Sequence, residues 1–507
     1  MGQHGFFGSG YNNLPPGEVT TGRFGRMFPK LPPLATTQDK LDQLGAAMVD
    51  IGLPVTDANG NPVLDPQGKP IHRDNPVGDN PTIPAGYTYF GQFVDHDITF
   101  DITSLTDKID DPREIENFRT PGLDLDSVYG TGPSVQPYLY DPASGPKAKF
   151  LLGKTVKTPT KRPGEEIEEK PNDLPRAQSK VALLGDPRND ENLIVAQMHV
   201  AFLKFHNKLV DKLGSFEEAR KTVVWHYQWI VLNDFLRRIL DTDQLDEVLY
   251  KGRHFYRYQK YPFIPIEFSV AAYRLGHSMV RAVYDYNRVF TLHNISTDSK
   301  LTEATLELLF AFTQKSDSAP DQGPGLRPTL PSNWIIDWRR FFELEGTKPG
   351  SVGLSRKLDP YLSEPLTNLP NVPAPSSLAV RNLRRGLKLG LPSGQRVAKY
   401  MGLQALSPAE IAASGPDGAK AKELGFDVET PLWYYILKEA QIRGKGERLG
   451  EVGSRIVAEV FVGLLEGDKG SYLSSDPDWQ PTLGKVPGRF TMADLLDFVG
   501  DVNPIGD

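Results

Sequence analysis

The 507-residue sequence has no cysteine. That excludes disulfides, a thiolate nucleophile, a zinc-thiolate centre and thiolate-ligated haem, so any metal must be bound by His, carboxylate or carbonyl groups. Excess basic charge is also lacking: 57 Lys and Arg stand against 64 Asp and Glu, for a net charge of -7. A nucleic-acid partner is therefore not expected, because phosphate backbones select basic surfaces. No apolar run is long enough to span a bilayer, the first residues lack a basic-then-apolar leader, and an aromatic residue stands where a myristoylation signal prefers Ser or Thr. The expectation is a soluble protein, cytoplasmic or exported without a signal peptide. Internal repeats and long charge runs are absent too, GEEIEEK at 164 to 170 being the longest acidic patch.

What is present is ordinary for a folded chain, 39% hydrophobic and 24% charged, with enough length to bury a core around a cofactor. Turn-rich stretches at 54 to 86, 160 to 175, 317 to 333 and 366 to 377 read as surface loops. Between them lie helical patterns. Residues 191 to 213 place Ile194, Ala201, Phe205 and Leu209 on one face, and Gly214 supplies a stop. Similar spacing at 216 to 248, 268 to 284, 303 to 314, 430 to 441 and 453 to 465 predicts a mainly α protein.

Four stretches carry chemistry. In GQFVDHDITFDI, 91 to 102, a helix would group Gln92, Asp95, His96 and Thr99 opposite Phe90, Phe93 and Val94. A strand would instead alternate Asp95, Asp97, Thr99 and Asp101 with His96, Ile98, Phe100 and Ile102. Spacing does not choose between them. In GDPRNDEN, 185 to 192, Asp186 or Asn189 suits a helix cap, but Arg188 is out of place, since a cation at a helix N-terminus is mildly unfavourable. In AAYRLGHSMVRAV, 271 to 283, His277 lies on a helical pattern between Arg274 and Arg281. An imidazole there is ordinarily a core residue, or else a haem ligand with the arginines near propionates. In TPGLDLDSVYG, 120 to 130, Thr120, Gly122, Asp124 and Asp126 offer the hard oxygens calcium takes, though two carboxylates alone are too few.

Taken in order, FGQFVDHDITF, TPGLDLDSVYG, GDPRNDEN with the helix through KFHNKLV, YRLGHSMVR, and RNLRRGLKLGLPSGQ at 381 to 395 resemble the animal-type haem peroxidases of the peroxidase–cyclooxygenase superfamily. The resemblance spans about residues 87 to 396. It implies one peroxidase unit over 1–507: a wrapping N-terminal segment and loops at 1–86, a haem and calcium core at 87–396, and a C-terminal helical segment at 397–507.

By the same resemblance, His96 is the distal histidine with Gln92 beside it, and Arg188 is the distal arginine. His277 is the proximal ligand of the haem iron, and Asn382 accepts the hydrogen of its other ring nitrogen. Arg274 and Arg385 fall where propionates are held. Asp95 and Glu191 match the acids that become ester-linked to haem b. Asp97 joins Thr120, Gly122, Asp124 and Asp126 around Ca2+, and the helical reading of 91 to 102 follows.

The family's mammalian members can carry a methionine after the ester-forming glutamate; Asn192 stands here, so no sulfonium link is expected. The implied activity is reduction of hydrogen peroxide through a ferryl intermediate, with oxidation of small organic donors, halide or thiocyanate, by a monomer. Two other readings compete. A fatty-acid dioxygenase on the same scaffold would need a radical-forming tyrosine three residues before the proximal histidine, but Arg274 holds that place and Tyr273 lies one earlier. A matrix or adhesion protein with a degenerate site would not need Gln92, His96, Arg188, His277 and Asn382 all intact.

Overall fold

The structure, a computed structural model, describes residues 22–57, 59–64, 70, 72–101, 116–160, 164–290, 304–314, 329–347, 350–369 and 372–507. The N-terminal stretch read for a leader and lipid signal, most of the 317 to 333 loop and Ile102 lie outside them. The fold is mainly α-helical. Helices of eight residues or more among the described residues are α1 (Gln38–Ala46), α2 (Gly86–Ile98), α3 (Leu193–Leu213), α4 (Phe216–Ile230), α5 (Thr242–Lys251), α6 (Leu378–Lys388), α7 (Gly394–Met401), α8 (Pro416–Leu424), α9 (Leu432–Arg443), α10 (Glu451–Gly467) and α11 (Met492–Val499). Strands are short. The largest sheet has three, with Gly22–Gly25 between Glu116–Asn117 and Ile264–Pro265.

Residues 91 to 98 form the last turns of α2, so the helical alternative holds. Its apolar stripe explains why: Phe90, Phe93, Val94 and Ile98 are fully buried, and Phe93 stacks on Phe202 of α3 with ring centroids 4.7 Å apart. Each such aromatic contributes roughly 1.5–3 kcal/mol by burial. The helix stops at Thr99, which turns extended, and Asn117 clasps the end by donating to Ile98 O at 3.0 Å and accepting from Phe100 N–H at 2.7 Å.

Helix α3 starts at Leu193 because Asn192 accepts the N–H of Val195 at 3.0 Å, and Gly214, at φ 76°, ends it as predicted. Asp186 caps the preceding single turn, Pro187–Asp190, and Asn189 caps nothing; its amide faces inward. The helix expected over 216 to 248 is α4 followed by a wider turn, Val231–Phe235, a further turn at Leu236–Ile239, and a break where Asp241 caps α5.

Two expectations of helix are corrected. Residues 268 to 284 are not one helix but a turn at Ile266–Ser269, a tight turn at Ala272–His277 and a strand at Val283–Tyr284. Partners far away in sequence capture the backbone: Asp74 accepts the N–H of Ala282 at 3.0 Å, and Val283–Tyr284 pairs with Ala304–Thr305. That strand and the short turn Leu306–Phe310 replace the helix expected over 303 to 314. The last two expected helices are α9 and α10, and one hydrophobic core cluster runs from Phe24 to Ile505.

Candidate functional site

One face of α2 gathers Gln92, Asp95 and His96 against the turn before α3. His96 is buried, and its Nδ1 lies 2.8 Å from Asn189 Oδ1. An amide oxygen only accepts, so Nδ1 carries a hydrogen and Nε2 is the nitrogen that faces the open side of the ring, 3.5 Å from Glu191 Oε1. Asn189 is itself held from behind by its amide nitrogen, 3.0 Å from Nδ1 of the buried His199, whose pKa burial lowers to about 3. Gln92 donates to Glu191 Oε1 at 2.7 Å and accepts from Asn192 at 3.0 Å. Asp95 accepts from the Thr99 hydroxyl at 3.0 Å.

Arg188 follows its helical cap in sequence but not in space. Its guanidinium donates to His96 O at 3.1 Å and also to Thr99 O, lying over the Phe100 ring at 4.4 Å. The charge therefore sits at the C-terminal end of α2, where a cation is favourable, which resolves its odd place at an N-terminus. Asp186 holds it at 2.8 Å; although burial pushes that carboxyl up, the Arg188 bonds and charge and the charge of Arg119 bring it down to about 2.

The His277 turn packs directly on α2: the Tyr273 hydroxyl donates to Gly91 O at 3.2 Å and Thr88 donates to Met279 O at 3.4 Å. Asn382 on α6 faces His277 Nδ1 at 2.7 Å, but through its amide nitrogen, because its oxygen accepts from Arg274 at 3.0 Å. The contact expected between these two side chains is present with its polarity reversed. Desolvation and the Arg274 charge lower His277 to about 3, keeping the ring neutral. Arg274 is lowered by burial and by Arg385 and Arg381, only partly offset by Asp95 and Asp101. Arg385, one turn after Asn382, is paired to Asp101. Arg281 leaves this group and binds Asp79 at 2.6 Å.

On the far side of α2, Asp97, Asp124 and Asp126 are all buried, each offering an oxygen within 4.8 Å of the others, the one such metal-capable group among the described residues. Asp97 accepts from Leu125 N–H at 3.2 Å and the Ser127 hydroxyl at 3.1 Å. Burial and Asp126 push it up to about 8. Asp124 is raised well above the carboxylate range by burial, Asp126, Asp97 and Asp468, and its Oδ2 is buried with no hydrogen-bond partner. Asp126 is raised by burial, with Arg119 at 3.4 Å and the Thr120 N–H opposing. An orphaned oxygen among three clustered carboxyl groups is a donor set that suits a hard divalent cation.

The buried pairing of Asn189 with His199, the double grip of Asp186 on Arg188 and Arg119, and Asp468 beside Asp124 went unseen in the sequence. With Asp186 capping the preceding turn and Asn192 capping α3, no capping role is left for Asn189, and its side chain turns inward.

The fold is predominantly helical, with the His277 turn packed on the helix that carries His96 and an acid cluster on that helix's far side. Comparison with known proteins agrees. The profile of the animal haem peroxidase family matches residues 103–323. Thyroid peroxidase of Sus scrofa is 25% identical over 396 residues, covering 71% of this chain and 38% of that protein. A peroxidase-like protein of Margaritifera margaritifera is 34% identical over 115 residues, 20% of this chain and 14% of that protein. The chain thus spans about two fifths of the length of the thyroid peroxidase it matches. Among solved structures, peroxidase A of Dictyostelium discoideum superposes with a TM-score of 0.61 at 16% identity, covering 96% of this chain and 94% of that one. A fatty acid alpha-dioxygenase of Oryza sativa gives 0.55 at 14%, covering 93% and 78%. The family match falls on residues 103–323, somewhat under half of the chain, and the solved structures show that the fold is the one these peroxidases and dioxygenases share. Among the described residues, no helix is long and apolar enough to cross a membrane.

Proposed function

We propose that this protein is a haem peroxidase that reduces hydrogen peroxide and oxidises small organic donors, halide or thiocyanate. The observation that carries the reading is the His96 imidazole, buried, held at Nδ1 by Asn189 and presenting Nε2 on the open side of the ring, on a helix packed against the His277 turn. The residues fit haem b: a neutral imidazole at His277 suits iron, and the desolvated cationic group of Arg274 with Arg385 suits propionates. Bound haem supplies the redox-active iron at which peroxide is reduced.

The chain's own residues do the rest. His96 Nε2 takes the first peroxide proton and returns it to the departing oxygen, while Asn189 prevents the ring from presenting the wrong nitrogen. Arg188 fixes the end of α2 beneath that ring and keeps positive charge beside it. His277 would hold the iron. A carboxylate that drew Arg274 away from Asn382 would release the amide to turn over, so that its oxygen could accept the His277 ring hydrogen and make His277 the stronger donor. Asp95 and Glu191 would be the carboxylates that become esterified to haem methyl groups, each link a two-electron oxidation for which peroxide would be the oxidant and is reduced to water. Asp97, Asp124 and Asp126, with Thr120 and Gly122, hold calcium, pinning the residue next to His96.

The test is the absorption spectrum of the haem-loaded protein, before and after peroxide and after a phenolic donor. A spectral change that the donor reverses is expected; no change overturns the proposal. Haem that resists acid-organic extraction after peroxide, but is released from Asp95→Ala plus Glu191→Ala, supports the esters, and easy extraction from the wild type contradicts them.

A further inference from the structure

We infer that Asp468, just past the C-terminal end of α10, is a fourth carboxylate of the cation site and reaches it through a small cavity shared with the 120 to 124 segment. The inference rests on the reading that Asp97, Asp124 and Asp126 hold a cation. Thr120, Gly122 and Asp124 line one side of the cavity, and Pro262, Gly467 and Asp468 line the other. Asp124 is only 2% exposed and its Oδ2 has no hydrogen-bond partner, although Oδ1 accepts the Asp126 N–H at 3.1 Å. A buried carboxylate oxygen without a partner is costly, and ionised acids around it offer no donor. A cation can.

The placement of Asp468 points the same way. It follows the last turn of a 17-residue helix, whose C-terminal carbonyls present partial negative charge, so an acid there is electrostatically unfavourable. A second acid across the cavity makes it worse. Positive charge between them would make the helix dipole and both carboxylates favourable together. The backbone is set for this position: a Cβ on Gly467 would come within 2.7 Å of the Pro262 ring, so glycine lets the chain close the wall. Asp468 Oδ1 accepts the Gly470 N–H at 2.8 Å, which fixes the carboxyl but needs no charge, since a carboxamide oxygen would accept equally well. That separates a capping role from a cation role.

The experiment is calorimetric titration of calcium into the metal-stripped full chain, comparing wild type, Asp468→Asn and, as a control for general surface charge, the exposed Asp478→Asn. Removing one carboxylate from a four-acid site is expected to weaken binding by about tenfold. A loss of threefold or more in Asp468→Asn, with Asp478→Asn within twofold of wild type, supports the inference; a change below threefold in Asp468→Asn, or an equal loss in both variants, overturns it. If Asp468→Asn does not fold, Asp468→Ser, whose hydroxyl also accepts from Gly470, is titrated against the same limits. Wild type that takes up no calcium overturns the cation reading itself, a result distinct from wild-type binding that ignores Asp468.

Discussion

Helix α2 carries two polar neighbourhoods within one turn of each other, and they are satisfied differently. Around His96 the groups are amides, a guanidinium and the Glu191 carboxylate: Asn189 and Arg188 bond His96 itself, while Gln92 donates to Glu191 and accepts from Asn192. Around Asp97 the neighbours are two more carboxylates, with Arg119 reaching Asp126 and leaving Asp124 Oδ2 without a partner. The first arrangement is hydrogen-bonded within the chain; the second, on the proposed reading, would be completed by a cation. The proposed proton carrier and the proposed ion site would then share a peptide bond, between His96 and Asp97.

Breaking the first neighbourhood should leave the second intact. His96→Ala is expected to slow the reaction of the haem-loaded protein with peroxide by about 10²–10⁴-fold, the usual contribution of a positioned proton carrier. Calcium affinity should change less than twofold. Stopped-flow absorption and calcium titration check the pair, and parallel losses would show that the two regions are not separable.

Filling the second neighbourhood should stabilise the fold. Calcium at about 100 times its dissociation constant is expected to add about 2.7 kcal/mol in denaturant unfolding, and Asp124→Asn should reduce the gain. The effect depends on pH. Asp97 is raised from 3.8 to about 8 by burial and Asp126, so the calcium-free folded chain binds more protons than the unfolded one between those values. The Asp97 contribution to stability is therefore full below about pH 4 and declines as pH rises toward 8, the slope being negative where the folded state holds the extra proton. Calcium should flatten that decline, and equal slopes with and without the ion would contradict the assignment.

The smallest effect is expected at Asn189. Asn189→Leu removes its hydrogen bonds to two buried imidazoles, costing about 1–3 kcal/mol of stability by leaving ring nitrogens unpaired. It should slow peroxide reaction less than His96→Ala does, and leave calcium binding unchanged.

How much of this could be read from the sequence depends on how local each feature is. The apolar stripe of α2, the stop at Gly214 and the helices α9 and α10 are set by near neighbours and their periodicity. The 268 to 284 segment has helical spacing yet breaks up, since Asp74 and the 304–305 strand, distant in sequence, compete for its backbone. Arg188 was puzzling for the same reason: its place in the chain is a helix start, and its place in space is another helix's end. The three acids could be grouped only through family resemblance. Asp468 lies where that resemblance thins, and only the folded chain brings it to the cavity.

The most direct test of the central claim sets peroxide chemistry against oxygen chemistry in one preparation. Fatty acid alpha-dioxygenase structures share the fold, but Tyr273 here is buried, stacked on Phe268 at 4.9 Å and hydrogen-bonded to Gly91 O. The haem-loaded protein should oxidise a phenolic donor with peroxide and take up no stoichiometric oxygen with linoleate. Stoichiometric oxygen uptake with linoleate, without peroxide-dependent donor oxidation, would contradict it.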